Sequence, residues 1–414
     1  MTNVADPAAA TPWEVAELQS LLSTPARPEP TFVMSPPGAG KLIGFGGGVP
    51  DAPTFPVAQI EEAVRTVLRR EPAPALEYLS GGPIGVPELR QAIIDRIEPE
   101  VGVDLNIDNV TITSGAASAL DNVFRTFLDP GDVMLVEAPT YMGAVRNARA
   151  TGCRFVPVPM DSDGLIVEAL EETLERLARE GTRAKLLYTI PTFQNPAGVT
   201  LTTERRRRLL DVCARYKVLV FEDDAYGELR FTDERFTSLF SLAGGRGVIR
   251  TGTISKTIAP GLRIGWIKAQ KPLIDALVRM RFDNGASPFN QRVVNAYVEA
   301  GCFEPHVEKM RGVYKAKFEA MDAALGEHLA RHASWTEPKG GFFVWVALPA
   351  GVDCVDLQRR GWDAGIAFVP GTACFTDGGG RGHLRLAYSS VNHDEIRDGI
   401  ARLGRVLEEA LAAR

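Results

Sequence analysis

Short apolar runs alternate with longer amphipathic ones through the middle of the chain. Runs over 110–113, 133–137, 154–158, 186–190, 218–222 and 248–250 have the composition and length of buried strands. Between them, apolar residues recur every three to four positions over 116–128, 144–150, 167–180 and 203–216, the spacing of a helix that buries one face. This alternation predicts an α/β fold with a mostly parallel sheet between helices. Ligands of such sheets sit beyond the carboxyl ends of the strands, so the residues that follow the apolar runs are the first candidates for function. After about residue 290 the pattern changes. Long helices over 291–327 and 394–412 flank two short β-rich segments, 342–348 and 384–388, which predicts an α+β companion domain. Residues 1–40 are rich in Ala and Pro, with one short helical stretch over 13–22, and read as an N-terminal arm.

Composition narrows the class. Of 414 residues, 45% are hydrophobic and 24% charged, the proportions of a globular protein rather than a disordered one. A net charge of −6 lacks the basic footprint of a nucleic-acid binder. The five cysteines form no CxxC pair, which suits reduced thiols in the cytoplasm. The first residues have no secretory pattern, and no apolar stretch reaches the ~18 residues of a membrane span.

Several motifs fail on inspection. Gly38-Ala39-Gly40-Lys41 lacks the first glycine of a phosphate-binding loop, where Ser35 stands, and has Leu42 where Ser or Thr must hold magnesium. Gly44-Phe45-Gly46-Gly47-Gly48 runs into Val49 and Pro50 instead of the third glycine of a dinucleotide site. His328 and His332 have no Glu after the first histidine and read as surface residues of a helix, so no metal is expected. Arg205–Arg208 reads as a solvated helix face.

One segment carries chemistry. In Thr253-Ile254-Ser255-Lys256-Thr257-Ile258-Ala259-Pro260-Gly261-Leu262-Arg263-Ile264-Gly265, a lysine sits in a hydroxyl-rich turn after a strand, seven residues before an arginine. A deprotonated lysine can form a Schiff base with an aldehyde cofactor, and hydroxyls with a guanidinium suit a phosphate. A turn with a surface lysine is the other reading of this segment alone.

The segment resembles the lysine motif of fold-type I pyridoxal-phosphate (PLP) aminotransferases of class I/II, with Thr253 in place of the first serine. Further motifs follow in the family's order over nearly the whole chain, which is similar to the branch of 2-aminoadipate and kynurenine aminotransferases. The resemblance implies a large domain, 60–290, with a mostly parallel seven-stranded sheet, a small α+β domain from 41–59 and 291–414, and the arm 1–40 as a substrate lid. Arg27 of that arm is a candidate contact for a substrate carboxylate.

The resemblance also implies roles. Lys256 is the catalytic Schiff-base lysine. In Phe221-Glu222-Asp223-Asp224-Ala225-Tyr226, Asp223 pairs with the pyridine nitrogen, and Asp224 has a partner of its own. Tyr226 donates to the phenolate oxygen, as does Asn195 of Pro191-Thr192-Phe193-Gln194-Asn195-Pro196-Ala197-Gly198. The phosphate falls to Gly115, Ala116 and Ala117 with Thr253, Ser255 and Arg263. Tyr141 stacks on the ring, and Tyr78 reaches the partner subunit's phosphate in a homodimer with shared sites. Arg385 clamps the substrate α-carboxylate, with Gly48 and Asn195 beside it.

The expected activity is amino transfer between an L-amino acid and a 2-keto acid. The chain departs from the pattern at Ala116-Ala117, where relatives carry Ser-Gln, and over 80–84. Those departures motivate the alternative of elimination, replacement, ring-forming or decarboxylation chemistry on the same scaffold. An effector-binding module without catalysis is the remaining alternative.

Overall fold

The strands of the predicted sheet form, and every one that carries a site residue at its carboxyl end points the same way. Across the sheet the order is Val110–Thr113, Gly265–Lys268, Val248–Thr253, Leu219–Asp224, Ala184–Thr189, Val133–Ala138 and Arg154–Asp161, with the two-residue Gly164–Leu165 hairpinned on the outer edge as an eighth strand. Gly265–Lys268 runs antiparallel to both of its neighbours, and the other contacts among the first seven are parallel. Two reversals restore direction, so Val110–Thr113 also delivers its carboxyl end to the common edge. Gly265–Lys268 is the one strand of this sheet beyond the apolar runs that is longer than two residues. It lies at the end of the lysine segment.

In this computed structural model, Met1–Val33 and Met34–Arg414 are two compact units. The residues described are 15–26 in the first and 40–413 in the second. In the first, Val15–Ser20 is a short helix within the expected helical stretch, and Arg27 lies outside the described residues.

Helices Val167–Arg179 and Thr203–Tyr216 cover one face of the sheet through Leu170, Leu174 and Leu209 against Leu135, Leu187 and Val220. The other face packs Met134, Val136 and Phe221 against Leu120, Val123 and Leu277 of Ala116–Phe127 and Lys271–Arg279. Consecutive strand residues serve opposite faces, as the pleat requires, so both faces are dry. Thr202 caps Thr203–Tyr216 by accepting from Arg205 N, and Lys217 closes it in the left-handed conformation.

The second half builds an antiparallel sheet in the order Ser334–Trp335, Phe343–Ala347, His383–Ala387, Val369–Pro370. Ile43–Gly44 pairs in parallel with Ile366–Ala367, which ties the segment before residue 59 to the carboxyl-terminal part. The long helix expected over 291–327 is two helices, Pro288–Glu299 and Phe303–His328, because Gly301 takes a φ of +70° between them. His328 closes the second of these, and His332 lies in the turn beyond it rather than on the helix.

Two charged features lie inside the fold, the first against the expectation of a solvated helix face. Arg206 is not on a solvated face but 1% exposed. It donates to Leu201 O (2.8 Å), Thr237 O (3.0 Å), Pro191 O (2.7 Å) and Thr192 Oγ1 (2.9 Å), loop acceptors that turn a buried cation into a staple. Arg250 and Lys268, register partners on adjacent strands, are also buried. Arg250 Nη2 is 2.5 Å from Asp224 Oδ2 and 3.3 Å from Glu98 Oε1, and its Nη1 pairs with Glu100. Lys268 Nζ lies 2.8 Å from Glu98 Oε2 and 3.0 Å from Glu100 Oε1. Burial alone would raise the Glu100 pKa. Arg250, Lys268 and hydrogen bonds from Ser238 and Ser241 outweigh it and hold the carboxyl well below the usual range.

Arg250→Met leaves Glu98 and Glu100 to Lys268 alone and takes from Asp224 its cation, and is expected to destabilise the protein by about 3–5 kcal/mol in urea denaturation. A carboxyl whose folded pKa is depressed contributes stability that is present above its unfolded pKa of about 4.5 and lost as the pH falls below it. The variant should therefore lose less stability between pH 5 and 3 than the parent chain.

Candidate active site

The carboxyl edge of the large sheet opens into a cavity of about 380 Å³ lined by Lys256, Asp223, Asn195, Tyr226, Arg263 and Arg385. Asp223, Tyr226, Asn195 and Lys256 come from strand ends of the large sheet or the loops that follow them, whereas Arg385 comes from the middle of a strand in the antiparallel sheet. Asp223 is the penultimate residue of Leu219–Asp224, and Tyr226 lies two residues beyond its end. Asp224 Oδ1 accepts from Gly227 N at 2.7 Å, so the neighbour of Asp223 sets the turn that carries Tyr226. Its other oxygen takes Arg250, the separate partner expected from the sequence.

Lys256 follows Val248–Thr253 and donates from Nζ to Gly48 O at 2.8 Å. Burial pushes its pKa down, the charges of Arg385 and Arg263 add to this, and Asp223 opposes it, leaving the amine at about 8. Asp223 is pushed up to about 6 by burial. Its Oδ2 accepts from Tyr188 Oη at 2.7 Å, and its Oδ1 has no partner among the described residues.

At the other end, the helix Ala116–Phe127 starts after Gly115, whose φ is +84°. Its first amides have no intrahelical acceptor. Arg263 lies across this turn, donating from Nη2 to Ser114 O at 2.8 Å, and Thr253 Oγ1 lies 2.9 Å from Ser255 Oγ. Ala116, Ala117, Thr253 and Ser255 all line the cavity. Arg385, on His383–Ala387, donates to Asn195 Oδ1 at 2.8 Å and to Gly46 O at 2.6 Å. Its guanidinium lies 4.4 Å from the Phe343 ring centroid. A Cβ at Gly48 would lie 2.4 Å from the tip of that ring, so a larger residue there must displace Phe343.

Thus the structure brings together Lys256, Asp223, Asn195, Tyr226, Thr253, Ser255, Arg263, Arg385, Tyr141, Gly48, Ala116 and Ala117. Gly115 lies behind the wall, against Arg263. Tyr78 is not in the cavity wall, being 76% exposed with its hydroxyl 3.4 Å from Asn284 Nδ2.

The sequence reading missed the supports. Glu137 is fully buried and accepts from Thr189 Oγ1 (2.5 Å), Ile190 N (3.2 Å) and Gln194 Nε2 (2.9 Å), fixing the loop that presents Asn195. Burial pushes this carboxyl up to about 7. Tyr188 was hidden in an apolar run, although a phenol in a dry strand needs a partner.

A cavity with an amine, an acid with one unpartnered oxygen at one end and an anion-ready helix start with an arginine at the other fits a PLP-dependent transferase of fold type I. The orphan Asp223 Oδ1 is the test of fit, since a protonated pyridine nitrogen is the donor it lacks. The sequence profile of the family described as aminotransferase class I and II matches residues 41–403. The chain is 38% identical to aromatic-amino-acid aminotransferase 1 of Thermococcus litoralis, over 89% of each chain. Its structure is similar to the multiple substrate aminotransferase of Thermococcus profundus, with TM-score 0.86 and 36% identity over 91% of this chain and 94% of the other. It is also similar to the alpha-aminoadipate aminotransferase of Thermus thermophilus, complexed with N-(5'-phosphopyridoxyl)-L-leucine, with TM-score 0.83 and 38% identity over 90% and 94%. The chain belongs to the class I and II aminotransferases, and is an enzyme that uses pyridoxal phosphate for transamination. Aminotransferase relatives along most of its length favour that reaction over elimination or ring formation.

Gly115→Ala forces a left-handed residue to carry a Cβ 2.4 Å from Arg263 Nη2, and is expected to destabilise by about 1–3 kcal/mol. Gly312→Ala, exposed in Phe303–His328 with nothing within 4 Å of the new Cβ, should stabilise by about 0.5–1 kcal/mol. Urea midpoints of the two variants check both signs.

Proposed function

We propose that this site moves an amino group between an L-amino acid and a 2-keto acid, with Lys256 as the catalytic amine. The reading is carried by the convergence of Lys256 Nζ, the orphan Asp223 Oδ1 and Arg385 on one cavity. Pyridoxal phosphate, when bound, supplies an electron-poor ring that accepts charge from the substrate Cα. Asp223 holds the proton on the ring nitrogen. Asn195 and Tyr226 donate to the ring hydroxyl oxygen, and Tyr141 covers a ring face. The amides of Gly115, Ala116 and Ala117, with Thr253, Ser255 and Arg263, take the phosphate.

Arg385 grips the substrate α-carboxylate, with Asn195 and Gly48 beside it, and so orients the Cα–H bond toward Lys256. Lys256 Nζ tethers the cofactor between turnovers and, once freed, carries the proton away from Cα. A pKa near 8 leaves part of the amine unprotonated at neutral pH, as a general base requires.

The same reading makes the protein a cytoplasmic homodimer, with 60–290 as the cofactor domain and 41–59 plus 291–414 as the smaller one. Five free thiols suit a reducing compartment. Tyr78 and the 81%-exposed Phe282 belong to segments joined by the Asn284–Tyr78 hydrogen bond, an apolar surface that a second copy would cover. That copy would bring Tyr78 to its neighbour's phosphate.

Lys256→Ala is expected to fold, to lose the visible absorbance of tethered cofactor and to lower kcat by at least about 10³-fold. With the parent enzyme, an amino acid alone should release one equivalent of its 2-keto acid per site, with a second keto acid needed for more. Continuous release without an acceptor would point to the alternative chemistry, and full activity in Lys256→Ala would sink the assignment.

Mixing inactive Lys256→Ala and impaired Tyr78→Phe subunits should restore part of the activity, because one hybrid site then has both residues. A fully active monomer in sedimentation at assay concentration would contradict shared sites.

A further inference from the structure

We propose that Tyr188 is a positioning residue for the reaction: its hydroxyl fixes the carboxylate of Asp223 so that one oxygen stays aimed into the cavity. The inference rests on the assignment of Asp223 to the ring nitrogen made above. It concerns a residue one strand behind the cavity wall.

Register explains the contact. Tyr188 is paired with Phe221 across the parallel strands Ala184–Thr189 and Leu219–Asp224, so the two side chains share a face. Asp223 lies two residues on and therefore shares that face, diagonally within reach of a long side chain, while Glu222 and Asp224 point to the other. The Tyr188 ring is held edge-on by Phe124 (centroids 6.2 Å apart) and Phe221 (5.8 Å), and both Tyr188 and Asp223 are buried. A phenol caged in this way delivers its hydroxyl to one place, 2.7 Å from Asp223 Oδ2.

That bond is the one hydrogen bond to the Asp223 side chain among the described residues. The last torsion of an aspartate is soft and two-fold. Without Tyr188 nothing among these contacts decides which oxygen faces the cavity, or holds the plane of the carboxylate. The hydroxyl also favours the charged form in a dry setting. Burial pushes the Asp223 pKa up, Asp224, Glu137, Tyr141 and Tyr226 oppose or are opposed by its charge, and Tyr188 and Lys256 are the groups that bring it down. Burial also keeps the Tyr188 phenol protonated, so it remains a donor across the working pH range.

The test compares the parent chain, Tyr188→Phe, Asp223→Asn and the double variant as pure proteins. Three quantities are read: the dissociation constant for pyridoxal phosphate added to resolved protein, the pH profile of kcat for the reloaded enzyme, and the urea midpoint. Tyr188→Phe should weaken cofactor binding by about tenfold, the effect of a hydrogen bond to a charged group. The acid limb of its kcat profile should move up by about one pH unit, because the carboxylate is then lost at higher pH.

Asp223→Asn should weaken binding further, and the double variant should bind no worse than Asp223→Asn, since Tyr188 acts through that carboxylate. If Tyr188→Phe does not fold, the pair Asp223→Asn and double variant, which buries no unpaired charge, still reads this coupling. A lowered urea midpoint with unchanged affinity and acid limb would make Tyr188 a core residue only and overturn the inference, as would a double variant clearly weaker than Asp223→Asn. Parent-level affinity and pH profile in Asp223→Asn would instead remove the underlying assignment of Asp223.

Discussion

A carboxylate withdrawn from water must be given partners or surrender its charge, and this chain withdraws Glu98, Glu100, Glu137, Glu222, Asp223 and Asp224 around one sheet. Arg250 and Lys268 neutralise Glu98, Glu100 and Asp224 from the strands themselves. Glu222 accepts the amides of Leu239 and Phe240 at a helix start, and Glu137 is surrounded by donors from its neighbouring loop. Only Asp223, of these six, keeps an oxygen without any partner among the described residues while lining a cavity. The sheet gives its other five acids partners and leaves one donor-seeking oxygen facing the cavity.

The same economy of partners shapes the rest of the cavity. Lys256 is surrounded by the cations Arg385 and Arg263 and by apolar matter, so its amine gives up its proton more readily than an exposed lysine would. The Asn195 loop is pinned by Glu137 on one side and by Arg206 on the other, through Pro191 O and Thr192 Oγ1. Asn195 is thereby carried on backbone fixed from both sides, the preorganisation on which electrostatic catalysis depends. Val49, Pro260 and Phe343 complete the wall with apolar surface, and Phe343 supports the Arg385 guanidinium.

Much of this was legible in the residues. The strands came from runs of apolar residues too short for helices, and the helix Thr203–Tyr216 from its period. The candidate residues Asn195, Asp223, Tyr226 and Lys256 were found at or after strand ends, because a parallel sheet collects those ends on one edge and local spacing survives folding there. The errors lay where a charge met the interior. Arg206 looked like its neighbours Arg205, Arg207 and Arg208, yet of the four it alone is buried, against loop carbonyls. Gly265–Lys268 stands outside the apolar runs because it is four residues long and begins on Gly and ends on Lys.

The sequence by itself determined the alternation of elements, the lysine turn, the acid before Tyr226 and the arginine on the late strand, since each depends on neighbours a few residues away. Only the tertiary structure decided that Tyr188 meets Asp223, that Glu137 holds Gln194, and that Arg250 and Lys268 share Glu98 and Glu100. These contacts join residues 35 to 170 positions apart, and their geometry is set by strand register and by the burial of both partners. Neither quantity can be read from the spacing of residues along a chain.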